Sequence, residues 1–238
     1  MARSLVARRR FLASTAAGLL GAGGMPARAQ RPAVDLALVL AADCSGSVQE
    51  PQYLLQQKGT ADAFRTPAIV EAILGGANGA IAVVHFQWSG YARQHLAIAW
   101  TVLASRDDIA RFATAIETAP RRIYGGGTSP GGAIAHGVRL LRTVPADAMR
   151  RVIDVSGDGR TNNGPPSALA RDEAVAQGIT INGLPILHIE PDIDDYYEEN
   201  VIGGPGAFLV PARDFDAFAD AMRRKLIREL SGIASAPV

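Results

Sequence analysis

Three short stretches of this 238-residue chain carry side chains whose types and spacing could do chemistry. The first is Asp43-Cys44-Ser45-Gly46-Ser47, which offers a carboxylate and two hydroxyls at every second position. It follows residues 34–42, a near-continuous apolar run that reads as a strand buried on both faces of a parallel sheet. Three oxygen donors on one tight loop suit a hard divalent cation such as Mg2+, which favours octahedral oxygen coordination and keeps some of its waters. The same residue types also dominate turns and helix N-caps, so a turn that opens the next helix accounts for this stretch equally well when it is taken alone.

The second stretch is the glycine-rich run from Tyr124 to Ile134, with Thr128 and Ser129 at its centre and a helix expected to follow to about Arg142. It lacks the Gly-Lys-Ser/Thr of a phosphate-binding loop, and its glycines miss the dinucleotide spacing. Its glycines permit unusual backbone angles, which lets the Thr128 hydroxyl approach a neighbouring loop. The third stretch, Gly157-Asp158-Gly159-Arg160-Thr161-Asn162, places a second carboxylate at the end of a buried strand over 150–156. Asp154, inside that strand, reads as structural, and Arg160 and Trp88 are candidates for the rim of the site. Ligands of open α/β sheets sit at the carboxyl ends of central strands, where both carboxylates fall.

Catalysis has less support. A hydrolase needs a nucleophile or general base beside the metal. His85 and His188 fall in expected strands, His95 in a hairpin, and His136, the nearest in sequence, in the helix after Thr128. The chain has no His-Glu-x-x-His motif. Gly127-Thr128-Ser129-Pro130-Gly131 fits Gly-x-Ser-x-Gly but follows a glycine-rich run rather than the strand of a nucleophile elbow. The pairs Asp192-x-Asp194 and Asp214-x-Asp216 fall in expected helices rather than at a strand end as in haloacid phosphatases. Cys44 is the single cysteine, so no intramolecular disulfide forms, and its place reads as a small buried filler.

The elements that must position these residues alternate between strand and helix, which gives an α/β fold with a mostly parallel sheet. A helix is expected over 49–74, with Tyr53, Leu54, Gln57, Ala61, Phe64 and Ile69 near helical spacing and a break at Thr66-Pro67. Strands over 80–88 and 93–101, joined through Ser89-Gly90-Tyr91, read as an antiparallel hairpin at the sheet edge. Helices follow over 106–118, capped by Ser105, and over 167–177, stopped by Gly178. A strand over 179–189, an acidic surface helix over 190–200 and a short strand over 207–210 come next. A terminal amphipathic helix over 214–230 turns Phe215, Phe218, Met222, Leu226 and Ile227 inward.

The chain opens with Arg8-Arg9-Arg10-Phe11-Leu12, a mildly apolar segment and Ala27-Arg28-Ala29, which together read as an export signal over 1–29, cleaved before Gln30. The paired arginines resemble the twin-arginine signal, and the apolar segment is too short and glycine-rich to span a membrane. The remaining 30–238 then form one domain in the periplasm or outside the cell. The leader takes five arginines and no acids, so the formal charge falls from +1 to −4 and no basic face argues for nucleic acid.

The three stretches, in this order, resemble the von Willebrand factor type A (vWA) domain and its metal-ion-dependent adhesion site (MIDAS). Asp43-x-Ser45-x-Ser47 matches the first ligand loop, Gly127-Thr128-x-x-Gly131-x-Ala133-Ile134 the threonine loop, and Asp158-Gly159 the strand-end aspartate. The resemblance covers residues 34–230 and implies a Rossmann-like, doubly wound sheet with one antiparallel edge strand and helices on both faces. It further implies a metal site of Asp43, Ser45, Ser47, Thr128 and Asp158 holding Mg2+, with Mn2+ or Ca2+ as alternatives. The two serines would bind directly, and the threonine and aspartates directly or through water. The expected partner is a protein that offers an Asp or Glu carboxylate to the cation, and some members couple this to a shift of the C-terminal helix. The whole chain also resembles a group of exported bacterial single-domain vWA proteins with no known activity, through its leader and Val201-Ile202-Gly203-Gly204-Pro205-Gly206. The expected function is therefore a non-enzymatic, exported, metal-dependent protein-binding module. The alternatives are a metal-dependent hydrolase acting on phosphate esters and a scaffold with a purely structural metal.

Overall fold

A computed structural model describes residues 31–234; the expected leader, residues 1–29, lies outside the described residues. The central strand β1 (Ala33–Asp43) is buried at every position after Ala33. Leu36, Leu38 and Leu40 enter one apolar cluster, and Ala37, Val39 and Ala41 enter another. That alternation is what a strand covered on both faces requires. The other strands are β2 (Ile81–Trp88), β3 (Gln94–Leu103), β4 (Asp147–Gly157) and β5 (Thr180–Pro185). They lie in the order β3-β2-β1-β4-β5. All neighbouring pairs are parallel except β2 with β3, the expected hairpin at the edge.

Seven helices cover the sheet among the described residues: α1 (Glu50–Arg65), α2 (Pro67–Leu74), α3 (Arg106–Thr118), α4 (Pro130–Leu141), α5 (Ser167–Ala176), α6 (Ile193–Asn200) and α7 (Phe218–Ala234). Phe64, Ile69, Phe112, Phe218 and Met222 bring α1, α2, α3 and α7 into the first cluster. Ile134, Ala174 and Tyr197 bring α4, α5 and α6 into the second. The break between α1 and α2 falls at Thr66-Pro67, because proline disfavours helix in the residue before it. Ser105 caps α3 by accepting the Asp108 amide at 3.1 Å. α1 meets α7 at Gly59, where a Cβ would stand 2.9 Å from the Ala219 Cα, so only glycine permits this approach. Among the described residues, no helix is long and apolar enough to cross a membrane.

Four sequence expectations shift. Residues 207–210 form no strand: Leu209 makes an isolated bridge to Gly183 of β5, and beyond them Ala212 makes another to Ile186, just past the end of β5. Pro211 lies between these contacts and has no amide to extend a ladder. β5 ends at Pro185, and His188 sits in a turn whose amide bonds the Ile186 carbonyl at 2.8 Å. α7 begins at Phe218 because Asp214 first makes a turn, its Oδ1 accepting the Ala217 amide at 2.8 Å. Leu54 faces solvent at 52 % exposure, on the outer side of α1.

The inner face of α7 carries two charges. Lys225 and Glu229, one turn apart, are fully buried. Lys225 pairs with Asp154 of β4, and Glu229 accepts from the Arg150 guanidinium of β4 and from the side-chain Nδ2 of Asn182 in β5. Asp154 is thus a structural residue, as expected from its place inside the strand.

Candidate metal centre

β1 and β4 run side by side, with Ala42 opposite Ser156, so both strands end at the same edge of the sheet. Strand order reverses between these two, because β2 leads away on one side and β5 on the other. A crevice at the carboxyl ends follows from that reversal. Asp43 is the last residue of β1, and its Oδ1 accepts the Ser45 amide at 2.7 Å, which closes the turn. This turn brings Ser45 Oγ to 3.2 Å from Ser47 Oγ, and Ser47 Oγ donates to Asp158 Oδ1 at 2.6 Å. Asp158 follows the last residue of β4.

The glycine-rich loop is fastened to both strand ends. Gly126 accepts the Gly46 amide at 3.1 Å, and a Cβ on Gly46 would press to 3.2 Å from that carbonyl. Thr128 donates its amide to Asn162 Oδ1 at 2.7 Å and accepts the Asn162 amide at 3.0 Å. Ser129 caps α4, its Oγ accepting the Gly132 amide at 3.2 Å. The Thr128 hydroxyl then lies 3.6 Å from where a side chain on Gly159 would start, so that glycine leaves room beside it.

All five residues expected from the sequence therefore gather at one end of the sheet, on three loops. Ser47, Thr128 and Asp158 line an open cleft of about 210 Å³, with Arg160, Ile189 and Glu190 on its other side. Asp43 and Ser45 lie beneath the cleft floor with no exposed surface. Arg160 does stand at the rim, whereas Trp88 is fully buried below it and is corrected from rim to foundation. Its ring carbon lies 3.0 Å from the point where a Gly157 side chain would begin.

The electrostatics of the cluster are unbalanced. Among the described residues, Asp43 Oδ2 and Asp158 Oδ2 are buried with no hydrogen-bond partner, as is the Tyr197 hydroxyl. Tyr197 Oη and Asp43 Oδ2 approach the same Gly157 position, to 2.7 and 2.8 Å. Burial, and then the charge of Asp158, push the Asp43 carboxyl up to about 7. Burial also raises Asp158, against the hydrogen bond from Ser47 that lowers it. Two buried carboxylates side by side are costly unless positive charge balances them. The donors are hard carboxylate and hydroxyl oxygens, the set preferred by Mg2+ or Mn2+. Among the described residues, no three His, Cys, Asp or Glu side chains form a separate metal cage. The cluster thus fits a hard divalent cation.

Several neighbours of the site were not singled out in the sequence. Asn162 ties the threonine loop to the Asp158 loop. Glu190 is held at the cleft by Arg160 Nε at 2.6 Å, and the same guanidinium reaches Asp192 at 2.6 Å. The acids of 190–192 are therefore paired, and α6 starts after them at Ile193. His188 is the histidine whose charge bears on Asp158, and its Nε2 is 2.9 Å from Gln52 Nε2. His136 packs on Phe86 instead, with ring centroids 4.7 Å apart. The asparagines after Asp158 were a readable signal, because loop Asn side chains bond backbone amides. Nothing local marked Glu190 or His188, whose place depends on β5 lying beside β4.

Solved structures with this architecture give the same picture of the fold. A von Willebrand factor type A structure from Catenulispora acidiphila is 18 % identical, with a TM-score of 0.57 over 83 % of this chain and 43 % of that one. Proximal thread matrix protein 1 of the mussel byssus, in a form with a zinc-occupied MIDAS motif, is 17 % identical, with a TM-score of 0.57 over 85 % of this chain and 49 % of that one. The vWF domain of the type V pili tip protein Mfa5 from Porphyromonas gingivalis is 13 % identical, with a TM-score of 0.60 over 86 % of this chain and 98 % of that one. The chain thus spans less than half the length of the first two. At these identities the likeness is one of fold, and the protein has the vWA fold. No curated protein matches the chain. Residues 33–234 match the family model described as "Protein of unknown function (DUF1194)", and the chain belongs to that family.

Proposed function

We propose that this protein is an exported, metal-dependent protein-binding module, with a divalent cation held by Asp43, Ser45, Ser47, Thr128 and Asp158. The observation that carries this reading is the pair of buried carboxylate oxygens, on Asp43 and Asp158, left without donors beside two serine hydroxyls. Mg2+ is the assigned ion, with Mn2+ or Ca2+ as substitutes, on the chemistry of the donors. The zinc-occupied motif of the mussel neighbour supports a divalent ion at this place in the fold.

When bound, the cation supplies a positive centre that can accept an oxygen donor from a partner. The chain's own residues prepare that encounter. Ser45 and Ser47 contribute neutral hydroxyls, so the site holds fewer negative charges than an all-carboxylate cage. Asn162 keeps the Thr128 loop against the Asp158 loop, and Gly159 leaves the approach clear. A partner Asp or Glu carboxylate then gains a charge-assisted contact. Ile189, at 59 % exposure, and Tyr124, at 62 %, offer apolar surface on the same end of the molecule. The pilus-tip origin of one fold neighbour supports an extracellular adhesive setting, and the expected leader over 1–29 supports export.

The test is capture of envelope proteins on the immobilised chain from residue 30, in Mg2+ and in chelator. A partner retained in Mg2+, lost in chelator and lost on Asp158→Ala is the expected result. Retention that ignores the chelator contradicts the reading.

A further inference from the structure

At the opposite end of the sheet from the metal centre lies a larger cleft of about 750 Å³, and four of the residues lining it are arginines. Arg31 precedes β1, Arg142 follows α4, and Arg150 and Arg151 belong to β4. Three separate stretches of chain thus deliver guanidinium groups to one hollow, in a protein whose described residues carry a net charge of −4.

Internal pairing accounts for only half of this charge. Arg31 faces Asp147, the one acid in the cleft lining, at 3.6 Å, and Arg150 is taken by the buried Glu229. Among the described residues, Arg142 and Arg151 have no carboxylate partner. Each is fixed through a single nitrogen to Gln177: Arg142 to its side-chain oxygen at 3.2 Å, and Arg151 to its backbone carbonyl. One residue therefore positions both guanidinium groups while their remaining N–H donors stay unclaimed. Gly178, at φ +70°, turns the chain beside Arg151, where a Cβ would come to 3.5 Å from the guanidinium. Thr180 adds a hydroxyl to the lining.

We propose that this arginine cleft is a second ligand site, which binds a doubly charged tetrahedral oxyanion such as a phosphate or sulfate group. The two unpaired guanidinium groups match its charge. Their fork geometry suits oxygen pairs on phosphate or sulfate, and pre-positioning by Gln177 reduces the ordering cost of binding. The volume lies within the range of small-molecule sites, so the anionic group has room to carry a substituent. The site is independent of the metal reading, because it shares no residue with that cleft.

The test is calorimetric titration of inorganic phosphate, sulfate and acetate into the chain from residue 30, at low ionic strength. Metal is first stripped on a chelating resin, because a soluble chelator would itself compete. One saturable site for phosphate or sulfate is expected, with acetate binding at least roughly tenfold more weakly. Arg142→Gln with Arg151→Gln should weaken phosphate by roughly tenfold or more, and Asp158→Ala should leave it unchanged. Asp147→Asn should tighten binding several-fold, a gain that misfolding does not mimic. Absence of saturable binding at about 10 mM phosphate, acetate binding as tight as phosphate, or indifference to both the arginine and Asp147 changes would overturn the proposal.

Discussion

Asp43 and Asp158 each leave a buried carboxylate oxygen without a hydrogen-bond donor among the described residues, and the consequences are measurable one residue at a time. At pH 8 and without metal, Asp158→Asn removes one of the two buried charges and should stabilise the fold by about 1–2 kcal/mol in urea unfolding. A less stable variant would show that the carboxylates are not in conflict. His85 is a second buried group with a clear sign. Burial holds its imidazole down at about 4, so it stays neutral in the folded protein. The unfolded chain takes up that proton below about 6.5 and the folded chain does not until about 4. Stability is therefore complete above pH 6.5 and falls as pH drops towards 4, by up to about 3 kcal/mol from this residue. Unfolding curves of His85→Leu should lose that part of the acid dependence; an unchanged slope would remove His85 as its source. At this scale the site was legible where residues punctuate the chain. Asp43, Ser45, Ser47, Thr128 and Asp158 stand at strand ends or in glycine-rich loops. Glu190 carries no such mark, because its pairing with Arg160 at 2.6 Å joins residues thirty apart through the neighbouring strand.

The elements were legible wherever apolar periodicity was long and uninterrupted. β1, the β2–β3 hairpin and α3 follow the pattern, and the Thr66-Pro67 break divides α1 from α2. Departures occur where one local group overrides the pattern, as Asp214 delays α7 and Pro211 interrupts the 207–212 edge. The buried charges of α7 were illegible, since Lys225 and Glu229 look like ordinary surface residues until Asp154, Arg150 and Asn182 face them. Their spacing fixes the register of α7. A slide of one turn puts Glu229 opposite Asp154, or Lys225 opposite Arg150, and either brings like charges together. Lys225→Met should cost roughly 3–5 kcal/mol, because Asp154 is left buried and unpaired, whereas Lys225→Met with Asp154→Leu should recover most of that loss. A double variant no more stable than the single one would contradict the pairing.

At the scale of the whole molecule, the sheet separates two chemistries. β4 begins at Asp147 in the arginine cleft and ends at Gly157 beside Asp158, and its eleven residues span roughly 33 Å. The fold class could be read from strands alternating with helices. The order β3-β2-β1-β4-β5, which places both carboxylates at the point of reversal, depends on tertiary packing that no local pattern encodes. The central claim is that Asp43, Ser45, Ser47, Thr128 and Asp158 form one cation site. Thermal unfolding of the metal-stripped chain from residue 30, with and without Mg2+ or Mn2+, tests it most directly. A cation at about 100 times its dissociation constant adds roughly 2.7 kcal/mol, a rise in Tm of roughly 5–10 °C for a domain of this size. The account predicts that rise for the native sequence and none for Asp158→Ala. No rise at millimolar cation, or an equal rise in the variant, would contradict it.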